Sequence, residues 1–359
     1  MKKYAVLTGV MLAAFSGGYA VYSLSQAASM TMQVTQKTAD AQTLKAVSAA
    51  EAFIGTLTAA QQKAVMFAFS DAVVRVRWSN LPEGPANRAG LRWGELNATQ
   101  RTALVNLLGT VLSADGVKMA MEQMEADDVV KANDTGTRPM SVNFGSDYYF
   151  VSFLGVPSAT SPWMLQFGGH HLAINATVVG PNITLAPSLT GGQPLKYTKD
   201  GKAVYIVEEE VKQSMLMLQS LDATQRSKVV ISSQITDLVL GPGKDGNTLQ
   251  PEGLPASAMT AAQKTNFLAL IKARLSALND DDLAVKMTEI QNNLDKTYFA
   301  WFGPTTSGGT AYYRVTGPTV LIEYAPQTDR GGGGDITNHA HNMYRDPTND
   351  YGAAWVKTN

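Results

Sequence analysis

The sequence predicts an α+β fold in which an ααββ unit is internally duplicated, its helices packed on an antiparallel or mixed sheet. Three observations carry this. Four helix-start signatures come as two matched pairs, an aromatic-rich extended stretch follows each pair, and the later stretch repeats the earlier one at a constant offset. With 359 residues, 45% of them hydrophobic, the chain is long enough to bury a large core.

The chain opens with Met1, Lys2 and Lys3, an apolar run from Tyr4 to Tyr22 broken by Gly17-Gly18, and then Ser25-Gln26-Ala27-Ala28. A basic start, an apolar stretch and small residues describe a signal peptide over residues 1–28, cut after Ala27 or Ala28. The expectation is an exported protein, periplasmic or extracellular, with no membrane span in the mature chain. Residues 29–359 then form one α+β domain. It holds pseudo-repeats at about 57–195 and 220–330 and a carboxyl-terminal segment, 331–359.

The helix starts are Thr58-Ala59-Ala60-Gln61, Asn97-Ala98-Thr99-Gln100, Asp222-Ala223-Thr224-Gln225 and Thr260-Ala261-Ala262-Gln263. Each sets a capping side chain three residues before a Gln, with an apolar residue just ahead, which is a capping box. Thr58 and Asn97 are 39 residues apart, Asp222 and Thr260 are 38 apart, so the starts pair off. Apolar residues at helical spacing follow, as in Leu104, Leu107, Leu108 and Val111 and in Phe267, Leu270, Ile271 and Leu275. Asn279 to Asp282 should end that last helix and cap another over 283–296.

Extended stretches come next. Tyr149 to Gly155 resembles Tyr298 to Pro304, and Trp163 to Gly168 resembles Tyr312 to Gly317, at an offset of 149. Aromatic and β-branched residues make these strands. Between the units, the Gly- and Pro-rich stretch 240–256 reads as an exposed connection or a rim over a cleft.

The chemistry concentrates in four histidines. His170 and His171 follow Gly168-Gly169, and His339 and His341 form a His-x-His motif. On an extended segment, His-x-His turns both imidazoles to one face, where they can share an ion. Adjacent histidines on a strand point apart, so one of His170 and His171 is the expected ligand, and the repeat alignment favours His170. Glu323, in the apolar run Leu321 to Tyr324, is a further candidate, because a carboxylate there is costly unless paired or metal-bound. In that alignment Glu323 falls opposite Ile174. Such a set suits one transition-metal ion: zinc, copper, iron or manganese. Arg345 and Asp346 are candidate substrate-anion contact and proton acceptor, with Tyr344 beside them; an Arg345–Asp350 salt bridge closing a turn is the alternative reading. Gly331 to Gly334 lie just before His339 and allow a tight fold over the centre.

Composition narrows the field. Cys 0 removes disulfides, thiolate metal sites and thiol catalysis. Lys+Arg 29 against Asp+Glu 30, with no basic run, leaves no footprint for nucleic acid.

Several motifs together resemble a family known only as domain of unknown function 3500. They are Trp78 with Leu81-Pro82, Arg88 to Leu91, Gln100-Arg101 with Leu112-Ser113, and Gly155-x-Pro157. Gly169-His170-His171-Leu172, Gly317-Pro318 with Ile322-Glu323, and His339-x-His341 through Arg345-Asp346-Pro347 to Asp350-Tyr351-Gly352 complete the set. The resemblance implies kinship with mainly secreted proteins and brings no activity with it. The leading reading is an exported metal-dependent enzyme, hydrolytic or oxidative, acting on a small-molecule or polymeric substrate. An exported ligand-binding protein and a purely structural metal site are the rivals.

Overall fold

The computed structural model describes residues 33–34, 39–134, 142–328 and 335–357. The proposed leader and Gly331 to Gly334 lie outside the described residues. Among the described residues no helix is long and apolar enough to cross a membrane.

The fold is α+β. A sheet of 13 strands has as its spine the order Val230–Ser232, Tyr298–Phe302, Tyr312–Thr316, Leu321–Pro326, Ala340–Arg345, Ser188–Gly192, Leu172–Val179, Trp163–Gly169, Phe150–Leu154, Met66–Phe67. Neighbours run antiparallel, except that each outermost strand runs parallel to the next. Four of the long helices cover one face: Ala41–Gly55 packs on Ala98–Val111, and Glu208–Gln219 on Ala261–Leu275. Trp78, Ala173, Leu189 and Met343, with Leu238, form a smaller cluster on the other face.

Each predicted helix start is a cap. Thr58, Asn97, Asp222 and Thr260 each accept from the backbone of the Gln three residues on, and that Gln returns the bond. The glutamines do more. Gln100 donates to Thr56 O and Gln61 Oε1, and Gln263 to Ser220 O and Gln225 Oε1, so each ties two helices together. The last helix runs Asp280–Asn292 with Asn279 as its cap, so it starts and ends earlier than 283–296. Asn279 accepts from Asp282 N, and three aspartates in the first turn favour the positive end of the helix.

The strands fall on both sides of the central pair Ala340–Arg345 and Ser188–Gly192, and each side ends in a short parallel edge strand. Their register differs from the sequence offset of 149. Ser152, Gln166 and Asn175 form one cross-strand row, and Ala300, Arg314 and Glu323 the other. Matched by these rows, Glu323 falls opposite Asn175 rather than Ile174.

Candidate metal centre

Strand Ala340–Arg345 lies in the middle of the sheet, and His341 stands on it between Ala325 and Gly191. These small neighbours leave the imidazole uncrowded on both sides. His339 precedes the strand in extended conformation, φ -142° and ψ 120°, so it shares a face with His341. The turn before it is pinned by Asp335, which accepts from Thr337 N at 2.8 Å.

The third histidine comes from the other half of the sheet. Gly169 pairs with Leu172, so His170-His171 is a two-residue hairpin turn rather than part of a strand. His171 takes φ 59°, a left-handed conformation that residues other than Gly, Asn and Asp seldom adopt. Arg88 holds the turn in place, donating to Gly169 O, Ser79 O and Leu81 O. His171 N in turn donates to Asn80 O at 3.2 Å.

His171, His339 and His341 each offer a nitrogen, and the three lie within 4.8 Å of one another, a group that could hold a metal ion. His339 Nε2 and His171 Nε2 are 3.1 Å apart. Two nitrogens at that separation, each about 2.05 Å from one ion, would subtend an angle of about 98°, between the octahedral and tetrahedral values, so both could reach one ion. Without an ion, the same distance is a hydrogen bond between a protonated and a bare nitrogen. His341 Nε2 is 3.2 Å from Asn80 Nδ2, and its Nδ1 is 4.0 Å from Asp237 Oδ1, beyond hydrogen-bond reach. His339 Nδ1 is buried and has no partner among the described residues.

The electrostatics suit a ligand set. Burial holds His171 well below the ordinary imidazole pKa, with the neighbouring imidazoles pushing the same way. Burial likewise lowers His339 to about 3. Both rings are therefore neutral near pH 7, the form that binds a metal.

The remaining candidates fall elsewhere. His170 is not the ligand that the alignment favours: its Nδ1 is 2.6 Å from Asp127 Oδ1, and its ring stacks on His171 with centroids 3.8 Å apart. Parity fails here because it cannot be counted through a turn. Glu323 is 0% exposed and sits outside the cluster, accepting from Val239 N, Leu240 N and the Tyr312 hydroxyl at 2.7–2.8 Å. Its burial is compensated by hydrogen bonds, not by an ion. Arg345 donates to Leu240 O and Gly241 O and pairs with Asp245 and Asp350, which clamps the 240–245 stretch to the sheet. Asp346 accepts from Thr348 and is paired with Lys286 at 2.5 Å. Tyr344 belongs to the helix-side core, on the sheet face opposite His341. In the structure these three residues make loop-anchoring, turn and core contacts outside the three-histidine group.

Asn80 and Asp127 were not legible as site residues. Asp127 had a signal, since it shares the helical stripe Ala120, Gln123, Met124, Asp127, Val130, where an acidic group needs a partner.

No curated protein and no solved structure matches the chain. A family described as protein of unknown function (DUF3500) matches residues 39–353. The motifs that build the hairpin turn, the His-x-His strand and the Arg345 clamp all lie within that span, and the chain belongs to this family.

Proposed function

We propose that the protein is an exported, metal-dependent enzyme whose ion is held by His171, His339 and His341. The observation that carries this reading is the convergence of three imidazoles, from two distant parts of the chain, with no fourth His, Asp or Glu in the group among the described residues. A three-histidine site leaves a coordination position for water or substrate, whereas a structural zinc site is closed by four protein ligands. Three uncharged ligands also leave the ion its full charge. A divalent ion so held lowers the pKa of a bound water toward neutrality, the property on which the hydrolytic reading rests. Around it, the Asp127–His170 pair fixes the ring that stacks on His171, and Asn80 lies beside His341 with an amide able to hydrogen-bond a ligand of the ion. The export assignment rests on the basic and apolar amino terminus.

The test is hydrolysis of a panel of carboxylic and phosphoric esters by the zinc-loaded protein. The account expects turnover that chelation abolishes, zinc restores and His341→Ala lacks. Equal activity in the variant, or a loaded protein inert across the panel, contradicts the hydrolytic reading.

A further inference from the structure

On the helix-facing side of the sheet, a row of registered residues runs Trp301, Tyr313, Tyr324, Asn342, Thr190. Asn342 follows His341 on the strand, so this row lies on the face opposite the histidines. Glu210, in the first turn of helix Glu208–Gln219, donates no bond here but accepts from Asn342 Nδ2 at 3.3 Å. Arg274, at the end of helix Ala261–Leu275, donates to Ser188 O and Oγ at 2.8 and 3.1 Å.

Tyr313, Tyr324, Asn342 and Arg274 are all at most 3% exposed. The hydroxyls of Tyr313 and Tyr324, Asn342 Oδ1 and Arg274 Nε nevertheless have no hydrogen-bond partner among the described residues. Native cores leave few such groups, and a buried guanidinium needs an anion more than most. The four belong to one neighbourhood: the two tyrosine rings stack with centroids 5.3 Å apart, Tyr324 pairs in register with Asn342, and Arg274 is held on Ser188 of the adjoining strand.

The other half of the molecule fills the equivalent space with hydrocarbon. There the row is Phe153, Leu165, Ala176. The bonds Gln100 to Thr56 O and Gln263 to Ser220 O bring the helices into correspondence. Counting from them, Val111 stands where Arg274 does and Ala46 where Glu210 does, and all five apolar residues are 0% exposed. The matched positions thus carry hydrocarbon on one side and, on the other, a tryptophan, two tyrosines, an arginine and a glutamate, with Asn342 beside them. A polar set in a place that hydrocarbon can fill calls for a ligand.

Its chemistry follows from the groups left over. Arg274 Nε and two hydroxyls can donate to an anionic oxygen, while Asn342 Oδ1 and Glu210 accept from a donor. Glu210, Tyr205 and Gly308 are partly exposed and form the solvent-facing side of this cluster. Gly309, at φ 77°, carries the chain past it; a Cβ there would be 3.5 Å from the hydroxyls of both Tyr205 and Tyr324.

We propose that this cluster of buried polar groups binds a small carboxylate that also bears a hydroxyl or ammonium group, the carboxylate on Arg274, Tyr313 and Tyr324 and the donor on Asn342 and Glu210. The test is calorimetric titration of the full chain with lactate, serine and succinate, with glycerol and inorganic phosphate as controls. A Tyr313→Phe/Tyr324→Phe variant, which keeps both rings, is titrated beside it. Lactate or serine should bind saturably and more tightly than succinate or the controls. The double variant should bind it at least about ten-fold more weakly, with unchanged zinc affinity. Glu210→Gln, at a site that tolerates partial exposure, should weaken serine more than lactate and serves if the double variant does not fold. Absence of binding by both lactate and serine overturns the proposal, as do equal affinities in the variants. So does a crystal structure in which water alone satisfies the four groups after soaking with either compound.

Discussion

His171 holds a left-handed backbone that costs roughly 1–2 kcal/mol for a side chain of its kind, and the hairpin keeps it there with Arg88 and Asn80 on either side. Strain at a residue aimed at two other imidazoles is the mark of a position retained for what it binds. His171→Ala should therefore lower zinc affinity by more than the roughly 10–100-fold that loss of an outer partner costs, as equilibrium dialysis would report. Glu323 gives the opposite outcome. Glu323→Ala should leave zinc affinity intact and destabilise the protein by about 3 kcal/mol in urea unfolding, because two backbone amides and the Tyr312 hydroxyl lose their acceptor. The sequence made Glu323 conspicuous through the cost of burying a carboxylate. It could not show the partners, since Val239 and Leu240 lie more than eighty residues away along the chain. His339 and His341 were legible because alternation along a strand is local.

Caps and clamps act on whole elements. Gln100 and Gln263 each close a capping box and reach across to a second helix, so Gln100→Ala and Gln263→Ala should each cost about 1–2 kcal/mol, and by similar amounts. Unfolding of the two variants side by side measures this. The Arg345 clamp predicts a different effect. Arg345→Met releases the carbonyls of Leu240 and Gly241 and the carboxylates of Asp245 and Asp350, so trypsin should cleave after Lys244 several-fold faster while zinc binding persists. Loss of zinc binding in that variant would restore Arg345 to the site. Helix starts were readable from sequence because a cap and its Gln lie three residues apart. The register of the strands was not, since one residue of offset separates Ile174 from Asn175 and only cross-strand hydrogen bonds decide between them.

The molecule as a whole presents two polar places on opposite faces of one sheet, the histidines on the loop side and the Arg274 cluster beneath the helices. Removal from water raises the Glu210 carboxyl to about 7. A carboxyl with a raised folded-state pKa binds its proton more tightly folded than unfolded, so its contribution to stability is present at low pH. That contribution is lost as pH rises from about 4.3 through about 7. Glu210→Gln should remove this part of the pH dependence, seen as a flatter difference curve against the parent in melting experiments across that range. The most direct test of the central claim is metal content. Elemental analysis of the untagged protein, after incubation with zinc and exhaustive dialysis, should find about one equivalent of metal in the parent and little in a His339→Ala/His341→Ala variant that melts as a folded protein. Equal metal in both, or none in the parent after separate incubations with zinc, copper, iron and manganese, would contradict a metal centre at His171, His339 and His341.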